Sequence, residues 1–428
     1  MLSFKKGVVL LDLKLATLSQ IVAMPLPSKV MIPLLQHTGI ECKPLVKIGD
    51  KVALYQKIGD SSLGLCAPVH ASVSGTVVDL IRSDISGTEC ISVVIEAKPD
   101  KAPELVRDNS VLKRSTDELL AIVREAGIVG LSGSCFPTHI KLKPPKAVDS
   151  LIINCAECEP YLTCDHRLML EYAPDIISGI KAEMQILGVD KAYIAIESNK
   201  RDAIHLFKEL LHGERNITVK VLRTKYPQGA EKVIIKSVLG RDCPHSKLPF
   251  DVGVVVSNVA TVKAVFDALF FRKPLIERVV TVSGDVRHSQ NMLVRIGTPI
   301  KELIAFCGGY SSEPRKLIVG GPMMGACLST DEAPVTKGTN CVLVQSKPVL
   351  LEPSHCVRCG RCVDACPYNL MPTIIAKASE HRDFILANSY HAMECMECGC
   401  CAFVCPAKIP LVQHIRLAKH EISARMRK

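Results

Sequence analysis

The sequence predicts a multidomain α/β protein, and three observations carry that prediction. Residues 30–97 read as short strands punctuated by Gly49-Asp50, Gly59-Asp60 and Ser74-Gly75, so this part is expected to be all-β. From Thr116 onward, β-rich runs alternate with helix-length stretches, the pattern of an α/β sheet. Near the C-terminus the run Cys-x2-Cys-x2-Cys-x3-Cys-Pro occurs twice and marks a separate metal-binding unit. At 428 residues the chain has room for roughly two to four units, each with its own core.

The elements follow in order. A charged linker holding a proline spans 100–116, and a helix over 116–125 opens at Ser115 or Thr116. Strands are expected at 151–153, 192–196, 219–222 and 252–256, with helices over 172–187, 200–213 and 229–239 between them. Strands at 278–284 and 316–319 flank a helix near 300–306, a compact α+β unit. The cysteine-rich tail begins near Pro353.

Composition excludes several function classes. Hydrophobic residues make up 48% of the chain, yet charges and prolines interrupt every run before the roughly 18 apolar residues that a membrane helix needs. Lys5 and Lys6 precede a short apolar run, but Asp12 and Lys14 break it, so no signal peptide is read. Twenty cysteines suit a reducing cytoplasm. The net charge of +10 is scattered except for Lys408, Arg416, Lys419, Arg425, Arg427 and Lys428, read as a solvated helix face. With no Trp and few aromatics, nucleic acid is not an expected partner.

Cys356, Cys359, Cys362 and Cys366 precede Pro367, and Cys395, Cys398, Cys401 and Cys405 precede Pro406. Three thiolates at two-residue gaps wrap one face of a cubane, and the fourth, beyond a longer spacer, points to the other cluster. Cys356, Cys359, Cys362 and Cys405 are therefore assigned to one [4Fe-4S] cluster, and Cys395, Cys398, Cys401 and Cys366 to a second. A pair of zinc sites is the competing assignment, because Cys-x2-Cys alone also occurs in zinc ribbons. The 28 residues between the runs predict helices rather than a hairpin. Cys42, Cys66, Cys90, Cys243, Cys307, Cys327 and Cys341 have no motif spacing and are expected to be packing residues, as His37 and His70 are expected to be structural.

In the middle of the chain, the small-residue loop from Gly127 through Gly130 and Gly133 to Lys141 allows close approach to a phosphate. Asn154, Glu157, Glu159, Asp165 and their neighbours follow the apolar strand at 151–153, where open α/β sheets bind ligands. Either segment alone also fits an ordinary surface loop.

Taken in order, Pro33-Leu-Leu-Gln-His37, Ala67-Pro-Val-His-Ala-Ser-Val-Ser-Gly75, Phe136-Pro-Thr-His-Ile-Lys141, Ala156-Glu-Cys-Glu-Pro-Tyr161, Tyr226-Pro-Gln-Gly229, Ser257-Asn-Val-Ala-Thr261, Gly320-Gly-Pro-Met-Met-Gly325 and both cysteine runs resemble the C subunit of the Rnf electron-transport complex, RnfC. The resemblance covers nearly the whole chain, and its middle third is also similar to the flavin- and NADH-binding subunit of respiratory complex I. It implies a barrel-sandwich hybrid at 1–100, a Rossmann-like FMN- and NADH-binding domain at 115–270, an SLBB β-grasp unit at 275–345 and a helical domain with two [4Fe-4S] clusters at 350–428. It places FMN contacts near Gly130, Gly133, Lys141, Asn154, Asn258 and Thr261, and sets Glu157, Glu159, Tyr226, Gly229 and Glu231 around the isoalloxazine and the nicotinamide.

Two positions depart from the family pattern. Cys135 stands in a loop that usually reads Gly-Gly-Ala-Gly-Phe-Pro, and Cys155 replaces the glycine after the asparagine. The two loops that carry these thiols are expected to face each other across the flavin site, and the thiols are read either as a pair that exchanges electrons with a flavin or a partner disulfide or as two inert, buried small cysteines. They bring the chain closest to the stand-alone RnfC-like electron-transfer proteins associated with clostridial D-proline reductase. The implied function is electron transfer from NADH through FMN and two clusters to a partner reductase such as D-proline reductase. The alternatives are a peripheral NADH-accepting subunit docked on Rnf membrane subunits at the inner face of the membrane, and a flavin-free carrier.

Overall fold

The computed structural model describes residues 1–85, 88–98, 103–348 and 352–426; the boundaries expected at 100 and 350, and Arg427 and Lys428 of the basic cluster, lie outside the described residues. The first module is built from two small sheets. One orders Lys29–Pro33, Thr88–Ala97, Gly75–Ile85 and Lys51–Val52, and the other orders Lys43–Pro44, Lys57–Asp60 and Val69–His70. Alternation drives the pairing: Val30 sits opposite Ile95 and Ile32 opposite Val93, and all four are fully buried.

Residues before Lys29 do not join either of these sheets. They run as a strap over the other modules. Gly7 donates its N–H to the Ala365 carbonyl, Val8 and Tyr226 exchange both backbone hydrogen bonds, and Ile21–Ala23 pairs in parallel with Asn291, Met292 and Leu293.

The second module opens with helix Thr116–Glu125, whose Ser115 and Glu118 form a reciprocal capping box worth about 1 kcal/mol. Its sheet is fully parallel, in the order Ile217–Leu222, Ala192–Glu197, Ser150–Cys155, Val254–Asn258. Helices Ala173–Leu187 and Val259–Phe271 lie together on one side of it, and Glu231–Leu239 packs on the other, covering runs that are apolar on both faces as parallel strands require.

The third module is a six-stranded mixed sheet, completed at one edge by Ile21–Ala23, with helix Ile300–Phe306 buried through Ile300, Leu303 and Ile304. The last module is helical, as the 28-residue spacer suggested. Helix Leu411–Met426 turns Ile415, Ala418 and Ile422, spaced three and four apart, onto Ile375, Ala378 and Phe384.

Candidate functional site

The parallel sheet sets the position of the site. From Ser150–Cys155 the chain adds Ala192–Glu197 and then Ile217–Leu222 on one side, and returns to add Val254–Asn258 on the other. At that reversal a crevice opens beyond the carboxyl ends of the strands, the ligand position in open α/β sheets. Asn154 and Asn258 stand in register at the carboxyl ends of two neighbouring strands, the inner Ser150–Cys155 and the edge Val254–Asn258, and a cavity of about 950 Å³ lies against them.

Each asparagine is already committed to shaping this crevice. Asn154 Nδ2 donates to the Gly229 carbonyl at 2.8 Å, and its Oδ1 accepts the Ala156 N–H at 3.1 Å. A Cβ on Gly229 would fall 2.6 Å from the Ala156 carbonyl oxygen, so glycine is required for this close approach. Asn258 caps its helix by accepting the Ala260 N–H at 2.9 Å, and its Nδ2 donates to Asp165 Oδ2 at 2.8 Å.

The charged groups fall into two sets. Lys141 and Lys143 follow the small-residue loop, and Lys141 pairs with Glu231 at 2.7 Å. Glu157, Glu159 and Asp165 form an acidic wall. Glu157 Oε1 accepts the Asp165 N–H at 2.9 Å, while its buried Oε2 has no hydrogen-bond partner among the described residues. Glu159 accepts N–H bonds from Met323 at 3.1 Å and Met324 at 2.9 Å, tying the acidic wall to the glycine loop of the third module. Enclosure pushes the Glu159 carboxyl up to about 7 despite those two donors, and enclosure together with the Glu157 charge raises Asp165.

Lys14 of the strap holds this wall in shape. Its Nζ donates to the carbonyls of Glu157, Glu159 and Leu162 at 2.9, 2.7 and 2.6 Å. The helical module closes the far side through Tyr368, Met396, Glu397 and Arg416, and the Tyr226 hydroxyl donates to the Cys398 carbonyl at 2.7 Å.

Of the residues expected around FMN and nicotinamide, Gly133, Lys141, Asn154, Glu157, Glu159, Tyr226, Gly229, Glu231 and Asn258 line the cavity. Gly130 and Thr261 do not. Gly130 donates its N–H to the Phe136 carbonyl, and the buried Thr261 hydroxyl accepts the Leu131 N–H at 2.9 Å, so both shape the loop from behind.

The expected thiol pair across the flavin site is not formed. Cys155 shares the strand face of Leu151 and Ile153 and is fully buried in the apolar core, because a two-residue period that turns Asn154 to the cavity turns Cys155 away. Cys135 packs against a different core, and neither thiol lines the cavity. Burial raises the pKa of both thiols, which keeps them protonated and poorly nucleophilic.

The residues present fit FMN. Lysines beside a small-residue loop suit a phosphoryl group, and Glu157 Oε2, which faces Lys14 Nζ at 3.9 Å and accepts no hydrogen bond among the described residues, suits a ring N–H or a ribose hydroxyl. The cysteine runs fit clusters in the crossed arrangement. Cys366, Cys395, Cys398 and Cys401 surround one small cavity together with the spare thiol Cys400, and Cys362 and Cys405 share an apolar group that Cys401 also borders. Motif spacing does not announce the contributions of Lys14, Tyr368 or Arg416, because each reaches the site from a distant module.

Compared with known proteins, the chain matches four family models: the RnfC barrel sandwich hybrid domain at residues 2–100, the Nuo51 FMN-binding domain at 123–267, the SLBB domain at 279–326 and the 4Fe-4S dicluster domain at 348–406. It is 43% identical over 410 residues to the C subunit of the Na(+)-translocating ferredoxin:NAD(+) oxidoreductase complex of Acetobacterium woodii, covering 94% of this chain and 93% of that one. It is also 43% identical to the C subunit of the proton-translocating ferredoxin:NAD(+) oxidoreductase complex of Clostridium ljungdahlii, covering 98% and 94%. To the C subunit of the ion-translocating oxidoreductase complex of Rhodobacter capsulatus it is 40% identical, covering 95% and 80%. Among solved structures it resembles an NAD+-reducing [NiFe]-hydrogenase in the air-oxidized state, with a TM-score of 0.50 and 20% identity over 66% of this chain and 56% of that one, a likeness of fold. FMN and two [4Fe-4S] clusters are accordingly its cofactors.

Proposed function

The chain belongs to the RnfC family, the C subunits of ion-translocating ferredoxin:NAD oxidoreductase complexes, and from that premise we propose that it is the peripheral subunit exchanging electrons with NAD(H) in such a complex. FMN bound here supplies the conversion between a hydride pair and single electrons. The chain's own residues would hold it and set the cysteine-run residues Met396 and Glu397 beside it. Lys141 and the Ser132–Gly133–Ser134 backbone would take the phosphate, while Asn154, Glu157 and Glu159, which line the same cavity, would take the ring and the nicotinamide nucleotide.

One observation carries this proposal: three modules share a single cavity. Met396 and Glu397, on the cysteine run of the second cluster, line it directly, and the Tyr226 hydroxyl bridges its wall to Cys398. The cluster held by Cys366, Cys395, Cys398 and Cys401 is therefore the inner one, and that held by Cys356, Cys359, Cys362 and Cys405 is the outer one, with Cys356 and Cys359 exposed for a partner. No helix among the described residues is long and apolar enough to cross a membrane, so partner subunits would supply the membrane contact.

D-proline reductase as the acceptor drew its chemical motive from the Cys135 and Cys155 pair, and the burial of Cys155 removes that motive. Anaerobic titration of the purified chain with NADH tests the proposal. Bleaching of a flavin band followed by cluster reduction is expected, whereas a protein that retains no flavin after desalting, or clusters that NADH leaves oxidised, would overturn it.

A further inference from the structure

The first module contains a cluster of ligating side chains that the electron path does not use. His37, Cys42 and Cys66 are only 7%, 1% and 3% exposed, and one donor atom of each lies within 4.8 Å of the other two. The two Sγ atoms are 3.3 Å apart. Around them hydrogen bonding is sparse: Cys42 Sγ donates to the Ala67 carbonyl at 3.4 Å, His37 Nε2 accepts the Ala67 N–H at 3.3 Å, and His37 Nδ1 has no partner among the described residues. A buried imidazole with so few partners is costly, and apolar side chains would fill the same space without that cost.

We propose that His37, Cys42 and Cys66 form a buried structural site for a soft, thiophilic d10 cation, Zn2+ or Cu+. Two thiolates and an imidazole are a donor set that both ions take. Sulfurs bound to one such ion at about 2.3 Å stand roughly 3.8 Å apart at a tetrahedral angle, so the pair needs to open by about half an ångström. A disulfide, at about 2.05 Å, would require the sulfurs to close by more than an ångström. Binding releases one proton from each thiol to solvent, breaks the long Ala67 N–H to His37 Nε2 hydrogen bond because the imidazole's one lone pair goes to the cation, and changes no oxidation state. The resulting two negative charges offset the cation beside the buried Lys337, whose Nζ is held by the carbonyls of Pro68 and Gly127.

The site joins two loops of the barrel, 34–42 and 61–67, that are otherwise linked by few bonds. It thereby steadies the rim of the flavin cavity. Thr38, next to His37, donates its hydroxyl to the Ser134 carbonyl at 2.5 Å and its N–H to the Cys135 carbonyl at 3.4 Å. A cation on His37 thus fixes the segment against which the small-residue loop rests.

The test uses the full chain, isolated anaerobically with its iron-sulfur clusters intact and stripped of loosely bound metal. Separate samples receive one equivalent of Zn2+ or of Cu+ and are desalted. About one equivalent of one of the two ions should remain beyond the iron, with an X-ray absorption shell of two sulfurs plus nitrogen or oxygen. A Cys42→Ala, Cys66→Ala double variant should keep less than a tenth of that ion with its iron content unchanged. If the double variant fails to fold, His37→Ala serves in its place and should lose affinity by roughly 10- to 100-fold. Failure of both ions to bind, equal retention by the variants, a four-sulfur shell, or a mass two hydrogens lighter from a Cys42–Cys66 disulfide would each overturn the proposal.

Discussion

The two cysteine runs are alike in sequence and unlike in surroundings. In the first, Cys356 and Cys359 are exposed and a Cβ on Gly360 would meet nothing within 4 Å among the described residues. In the second, Cys398 and Cys401 are each only 7% exposed, and a Cβ on Gly399 would stand 2.9 Å from the Met323 carbonyl oxygen. The backbones match, since Gly360 and Gly399 have φ of +77° and +79° and each starts a short helix. The difference therefore lies in the neighbours: the glycine loop of the third module and Tyr226 close over the second run, while the strap touches both runs and reaches the first only at its buried end, through Ala365. A repeat specifies two equal ligand scaffolds, and the fold around them decides which faces the flavin and which faces a partner.

Breaking one scaffold at a time should expose this division most clearly. A Cys401→Ser variant is expected to slow NADH-driven reduction of the outer cluster by roughly 100-fold or more, while Cys356→Ser leaves reduction of the inner cluster near normal and stops delivery to an external acceptor. Cluster-resolved paramagnetic resonance after NADH addition distinguishes the two.

Glu159 tests the enclosure of the inner copy, because it holds the Met323–Met324 backbone against which Gly399 packs. Its carboxyl rises from 4.5 to about 7 in the folded chain, so between those values the unfolded chain ionises while the folded one keeps its proton. Stability should fall as pH rises through that window, by up to roughly 3 kcal/mol. Denaturation of Glu159→Gln at several pH values should show that part of the slope removed.

The paired glycines give a smaller contrast. Gly360→Ala places a side chain in left-handed backbone with open space around it, a cost of about 1 kcal/mol, whereas Gly399→Ala adds a backbone clash and should cost about 2 to 3 kcal/mol. Anaerobic denaturant titrations of both variants check the difference, and equal losses would mean that the packing on Met323 contributes nothing.

Much of this arrangement was legible in the sequence. The helix at Thr116–Glu125 has the capping signal that announced it, and the strand at Lys316–Val319 and the helix at Ile300–Phe306 stand where their patterns placed them. The end of the strand Ser150–Cys155 could be located as a ligand position because a buried parallel strand leaves polar residues only at its tip, whereas Asn258 came from the family resemblance. For Cys155 the motif left a redox pair and an inert, buried cysteine both open, although the alternation of Leu151, Ile153 and Cys155 against Asn154 already favoured the buried one. Lys14 was invisible for a different reason: it acts through three carbonyls some 140 residues away, and a single cation in an irregular strap carries no periodicity. The unequal exposure of the two cysteine runs was likewise unreadable, since it arises from modules that meet only in the folded chain.

Mixing the anaerobic, flavin-loaded protein with NADH and freezing samples over milliseconds tests the central claim most directly. The cluster of Cys366, Cys395, Cys398 and Cys401 should give its paramagnetic signal first and the outer cluster later. Reduction of the outer cluster first, or at an unchanged rate in a Cys401→Ser variant lacking the inner one, would contradict an inner-to-outer path.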